Sequence, residues 1–176
     1  MTTQILLSGF GGQGILFTGK FLAYKGLLAD KNVSWLPSYG PEMRGGTASC
    51  SVIISDEEVG SPIISQPDVL IAMNLPSFEK FEPTVKAGGI IIADSSLIEA
   101  KSTRDDIDVY YIPATALASD MGKQSLANMI ILGKLLKVMN DFNEDEIKTV
   151  LGKVIPPKKA DMLDINLKAM QLGSEN

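Results

Sequence analysis

The segment "LLSGFGGQGI", residues 6–15, constrains this chain more than any other. A short apolar run enters four glycines and leaves as an amphipathic stretch, which reads as a buried strand turning sharply into a helix. Gly9, Gly11 and Gly14 satisfy G-x-G-x-x-G in that strand–turn–helix context. Glycines allow tight turning and close approach, and free N–H groups at a helix start attract anions. Gly9, Gly11, Gly12, Gln13 and Gly14 are therefore candidate ligand-binding residues.

Two nucleotide readings of this loop lose support in the residues that follow. Dinucleotide binding asks for an acidic residue about 20 positions on, at the end of the second strand. That strand here ends "SWLPSYG", and Asp30 precedes it. A second pattern, Gly14 to Lys20, fits G-x-x-x-x-G-K, but Phe21 stands where Mg²⁺ needs a hydroxyl. Its interior "ILFT" suits a buried helix face, so ATP hydrolysis is rejected. The plainer alternative is that the glycines only let the helix pack closely on the sheet.

Further along, "VSWL" (33–36) reads as a second strand and "TASCSVII" (47–54) as a strand with two unlike faces, with residues 59–64 as its hairpin partner. "DVLIAMN" (68–74) and "GGIIIAD" (88–94) are the continuous apolar runs of central parallel strands, and "VYYIP" (109–113) adds another. Helices are expected after Gly14, from Pro76 to Lys86, around Ala127–Val138, after Asn143 and over residues 158–172. On the first, Gly14, Phe17, Phe21, Tyr24 and Leu28 share a face, with Lys20 and Lys25 off it. Asn143 caps its helix with Glu146 in the capping-box position. On the last, Met162, Ile165, Ala169 and Leu172 fall together. The expected fold is α/β, a three-layer sandwich with a mostly parallel, partly mixed sheet of Rossmann-like type. At 176 residues it is expected to be one domain, 1–176.

Composition removes much chemistry. There is no histidine and one cysteine, Cys50, so disulfides, Cys/His zinc sites, iron–sulfur ligation and histidine-based catalysis are excluded within this chain. A net charge of -5 argues against nucleic acid. No run is long and apolar enough for a membrane span and no signal peptide is visible, so a cytoplasmic setting with Cys50 reduced is expected. The chain is poorly equipped to be an enzyme alone.

The loop "PSYGPEMRGG", 37–46, is unusual chemistry for a connection. It follows the second strand as the glycine loop follows the first, so both are expected on one edge of the sheet, where ligand-facing loops gather. Ser38, Tyr39, Glu42, Met43 and Arg44 are candidate interface residues, and Arg44 is also a candidate for an anionic ligand. Met43 and Met73, beside strand ends, are expected to make adaptable partner contacts, whereas Met129 and Met139 suit the core.

"GFGGQG", "SYGPEMRGGTASCSVIISDEEVGSP", "QPDVLIAMN", "GGIIIADSSLI", "NMIILG" and "KADMLDINLKAMQLG" together resemble the gamma subunit of 2-oxoacid:ferredoxin oxidoreductases. The likeness spans nearly the whole chain, and the long second motif is the specific one. As a short separate chain it most resembles the 2-oxoglutarate or 2-oxoisovalerate type, with the pyruvate type as an alternative. The resemblance implies oxidative decarboxylation of a 2-oxoacid to an acyl-CoA with reduction of ferredoxin. It also implies thiamine diphosphate and iron–sulfur clusters in the alpha, beta and ferredoxin-like partner subunits, with this chain aiding assembly and the CoA side of the site. A freestanding nucleotide-binding regulatory module and a purely structural scaffold are the competing classes.

Overall fold

A computed structural model describes residues 1–38 and 47–176. Its strands are β1 (Thr2–Phe10), β2 (Asn32–Ser38), β3 (Thr47–Ser55), β4 (Val69–Ala72), β5 (Ile90–Asp94) and β6 (Asp108–Ile112). The α-helices are α1 (Ile15–Leu28), α2 (Leu75–Phe81), α3 (Ala114–Asp120), α4 (Ala127–Val138), α5 (Glu144–Val154) and α6 (Leu163–Glu175). The strands form one sheet in the order β2-β3-β1-β4-β5-β6. β1, β4, β5 and β6 run parallel, and β3 runs antiparallel to both β1 and β2. This is the expected mixed sheet. None of the described helices is long and apolar enough to cross a membrane.

The hairpin expected over residues 47–64 does not form. Both edges of β3 are taken, by β1 and β2, and residues 56–68 continue as irregular chain that includes Pro62 and Pro67, which have no N–H to give a ladder.

Strand alternation sorts the core into two layers. Ile5, Leu7, Cys50, Val52, Ile71 and Ile92 face α1, α3, α4, α5 and α6. Leu6, Leu70, Ala72, Ile91 and Ala93 face a thinner layer made by Phe78 of α2 with Val85, Ile98 and Ile107. Every residue of β4 is buried, as a central strand covered on both faces requires.

The face of α1 differs from expectation. Ile15, Thr18, Gly19, Leu22, Lys25 and Gly26 are buried together with Phe21, while Leu28 is exposed. The helix is apolar nearly all round, so periodicity alone does not choose its orientation; its two internal glycines do. A Cβ on Gly19 would lie 2.4 Å from the Cys50 Sγ, and one on Gly26 would lie 2.8 Å from the Val33 Cγ2. Lys25 is thereby turned inward, where its Nζ pairs with Asp141 at 2.9 Å and Glu146 at 3.0 Å.

The remaining helices follow their caps and glycines. Asn74 caps α2 through its Oδ1, which accepts the Ser77 N–H, but the helix stops at Phe81 and a 3₁₀ turn containing Pro83 follows, short of the expected Lys86. Asn143 Oδ1 accepts the Glu146 N–H at 3.1 Å; the Glu146 carboxylate serves Lys25. Ile147, Val150, Leu151 and Val154 make up the buried face of α5, as its spacing predicts. The last helix begins at Leu163 after a 3₁₀ turn over Pro157–Met162, and it buries Asn166, Leu167, Ala169, Met170 and Gly173. Of the four residues expected on its inner face, only Ala169 is fully buried. The reason lies in Gly133 and Gly173, which bring α4 and α6 into backbone contact and rotate the helix accordingly.

Candidate functional site

The glycine loop turns where β1 ends. Gly12 holds φ +89° and Gly14, the N-cap of α1, holds φ +76°, a region that L side chains adopt only with strain. The Gln13 side chain clamps the turn: Oε1 accepts the Phe10 N–H at 2.6 Å and Nε2 donates to the Met73 carbonyl at 3.0 Å. One amide thus ties the loop of β1 to the end of β4. Across the loop, Asn128 Nδ2 donates to the Gly14 carbonyl at 3.2 Å. The start of α1 has neither a side-chain cap nor an acidic residue in its first turn, so its dipole is left to attract an anion.

This loop forms one wall of a cleft of about 380 Å³, lined by Gly11, Gly12, Gln13, Met73, Leu97, Thr115, Gln124, Ser125 and Ala127. Topology explains its place. The chain leaving β1 passes into α1 on one face of the sheet, and the chain leaving β4 passes into α2 on the other. The adjacent carboxyl ends of β1 and β4 therefore part at a topological switch point, where open α/β sheets bind ligands. The far wall is held by Asp94, which is fully buried; its Oδ2 accepts the Thr115 hydroxyl at 2.6 Å and its Oδ1 accepts the Ser96 and Thr115 N–H groups. The described lining is polar or apolar but uncharged. It suits a ligand portion recognised by main-chain donors and small hydroxyl or amide groups.

Gly11, Gly12 and Gln13 therefore lie together on the cleft, with Gly9 at the end of β1 and Gly14 behind the turn. The strand ends from which the two loops leave do share an edge. Phe10 pairs with Thr47 and Ser38 with Ser49, so the carboxyl ends of β1 and β2 point the same way with antiparallel β3 between them. Ser38 itself is exposed and lines a different groove of about 260 Å³ on the opposite face, beside Leu36, Ser51 and Ile63. Tyr39, Glu42, Met43 and Arg44 lie outside the described residues.

The dinucleotide pattern fails in space as well as in sequence. β3 separates β2 from β1, and β2 carries no carboxylate. Gly14 to Lys20 lies at the start of α1 and within it, so it is not a phosphate loop. Met73, expected to meet a partner, is only 1% exposed and packs in the core; Met129 is equally buried. Burial pushes the Cys50 thiol up to about 11, against the hydrogen bond from Trp35, so it is a protonated core group rather than a nucleophile.

Thr115, Gln124, Ser125 and Asn128 escaped sequence reasoning. The one legible signal was Asn128, a polar residue heading the apolar run "NMIILG".

Comparison with known proteins agrees with this architecture. The family profile described as pyruvate ferredoxin/flavodoxin oxidoreductase matches residues 4–176. The ketoisovalerate oxidoreductase subunit VorA of Methanothermobacter marburgensis is 36% identical over 98% of this chain, but the chain spans only 36% of that protein's length. The 2-oxoglutarate synthase subunit KorC of Methanocaldococcus jannaschii is 36% identical over 99% of this chain and 94% of its own. Among solved structures, the keto/oxoacid ferredoxin oxidoreductase gamma subunit from Geobacter sulfurreducens superposes with a TM-score of 0.85 at 27% identity, covering 99% of this chain and 95% of that one. The 2-oxoglutarate:ferredoxin oxidoreductase from Magnetococcus marinus, with 2-oxoglutarate, coenzyme A and succinyl-CoA bound, gives the same TM-score and identity over 99% of this chain and 30% of that one.

Proposed function

The chain belongs to the pyruvate ferredoxin/flavodoxin oxidoreductase family, and from that premise we propose that it is the gamma subunit of a 2-oxoacid:ferredoxin oxidoreductase. In the assembled enzyme a 2-oxoacid is oxidatively decarboxylated to an acyl-CoA and ferredoxin is reduced. The chain's part is to complete the CoA side of the site and to hold its partners. Alpha and beta subunits and a ferredoxin-like subunit carry thiamine diphosphate and the iron–sulfur clusters; a single buried cysteine leaves this chain no cluster ligands of its own. The proposed substrate is 2-oxoglutarate, supported by the near full-length match to the Methanocaldococcus jannaschii subunit. The proposed compartment is the cytoplasm.

The observation that carries this reading is the cleft at the switch point, walled by the glycine loop and uncharged among its described lining residues. CoA is long and modular, so a subunit can receive one portion on main-chain donors while its thiol reaches chemistry elsewhere. Two further features support a role in assembly. Trp35 and Leu36, on the edge strand, are 42% and 40% exposed, and Ile63 is 73% exposed, which leaves apolar area for a partner to cover. Ser38 and Thr47, the described residues that flank Tyr39, Glu42, Met43 and Arg44 in the sequence, end and begin strands at the edge where β1 enters the glycine loop. The freestanding nucleotide module loses ground on the separation of β2 from β1.

The test is reconstitution with the partner subunits and turnover of several 2-oxoacids with CoA and ferredoxin. The chain alone is expected to show no turnover. Gly12→Ala in the complex should raise the KM for CoA, because a side chain strains the φ +89° turn that shapes the loop and its Cβ, which meets nothing within 4 Å, stands in open space beside the cleft. Arg44→Ala should weaken CoA use or partner binding by roughly 1.5–3 kcal/mol, the range for a hydrogen bond to a charged group. Activity of partner-free protein would end the subunit assignment. Unchanged CoA kinetics and assembly in both variants would end the loop assignments.

A further inference from the structure

We propose that Asn128 is a positioning residue, setting the glycine loop for CoA without touching the ligand. Of the residues α4 buries, Asn128 alone is polar, among Ala127, Met129, Ile130, Ile131 and Leu132. A buried amide is costly unless it is hydrogen-bonded. Here Nδ2 lies 3.2 Å from the Gly14 carbonyl and 3.3 Å from the Thr18 hydroxyl oxygen. The same Gly14 carbonyl accepts the Thr18 N–H and the Thr18 hydroxyl, each at 3.0 Å. Three donors thus converge on one carbonyl at the point where the loop becomes a helix.

The consequence for the cleft follows from where α4 begins. Gln124, Ser125 and Ala127, opposite the glycine loop, sit directly before Asn128 in the chain. One side chain therefore fixes the spacing between the two walls. Gln13 performs the matching task toward β4 through the Met73 carbonyl. Held by Gln13 on one side and Asn128 on the other, Gly11 and Gly12 keep their N–H groups in a set orientation. Such orientation affects binding through preorganisation rather than through new contacts. This inference rests on the reading that the glycine loop faces CoA.

The experiment uses the assembled complex, with CoA as the varied substrate. Asn128→Leu keeps the branched outline at a somewhat larger volume and removes the donor. Its KM for CoA is expected to rise about tenfold, with kcat and the KM for the 2-oxoacid within about twofold of the parent. Thr18→Val, which removes only the bridging hydroxyl, should raise the KM for CoA by a smaller factor and serves if Asn128→Leu fails to assemble. A merely structural residue would reduce the yield of active complex and leave the KM for CoA alone. If Gly12→Ala raises that KM while Asn128→Leu and Thr18→Val do not, the positioning role is overturned and the loop reading stands. If none of the three changes it, the loop reading fails and takes this inference with it.

Discussion

A Cβ built on Gly14 would stand 2.3 Å from the Asn128 Nδ2, on a backbone that already holds φ +76°. Glycine is thus required twice, by conformation and by the neighbour. Left-handed backbone costs an L residue roughly 1–2 kcal/mol, and overpacking typically about 1–3 kcal/mol. Gly14→Ala should therefore lose about 2–5 kcal/mol in urea unfolding of the isolated chain. Asn128→Ala in the same chain should restore the clash portion only. The two substitutions are expected to couple by about 1 kcal/mol or more, whereas strict additivity would mean that the contact is not the cause.

The crossing of α4 and α6 supplies a second case. A Cβ on Gly133 would approach the Met170 carbonyl oxygen to 1.9 Å, and one on Gly173 would approach the Ile130 carbonyl oxygen to 1.9 Å. Both obstacles are backbone, so the helices themselves must separate. Gly133→Ala and Gly173→Ala should each cost about 3 kcal/mol or more, at the upper end of single-substitution effects. Thermal melting checks this, with Gly152→Ala, where a Cβ meets nothing, as the control that should be neutral or mildly stabilising.

Cys50 should behave as a core hydrophobe. It is fully buried beside Gly19 and Trp35, and burial raises its thiol to about 11. The native protein should therefore resist a thiol reagent at neutral pH and react fully once unfolded. The linkage has a definite sign. A folded-state value above the unfolded one means that stability is complete below the unfolded thiol's range and declines as pH rises through about 11. Rapid labelling of the folded chain would contradict this burial.

The parts of the fold that could be read from the sequence are those set by local chemistry. "DVLIAMN" and "GGIIIAD" had to be covered strands, and Asn143 had to begin a helix, because apolar runs and caps act within a few residues. The glycine loop belonged to the same class. Orientation was hidden where a helix is apolar on most of its circumference, so α1 and α6 were rotated by glycine contacts with elements far away in sequence. The place of β3 between β1 and β2 was likewise a long-range outcome, since a hairpin and a crossover pairing present the same alternating pattern. Four of the nine residues lining the cleft come from residues 115–127, and a main-chain site of this kind leaves little trace in residue type.

Lys25 offers the sharpest test of how these helices are held. Its side chain is 9% exposed, and its two acceptors, Asp141 and Glu146, are 51% and 31% exposed. The ammonium is thus the desolvated member, and the carboxylates keep access to water. Removing the cation lets both carboxylates rehydrate, so Lys25→Met, which keeps the apolar stem, should cost about 1 kcal/mol or less. Removing one acceptor leaves the other, and Glu146→Gln should cost about 0.5–1.5 kcal/mol. Removing both acceptors strands a buried positive charge between α1 and α5. Asp141→Asn with Glu146→Gln should therefore cost about 3–5 kcal/mol, more than losing the lysine itself. Urea unfolding of the three variants checks the order. If Lys25→Met proves the most damaging, its role lies in net ion pairing rather than in compensating its own burial.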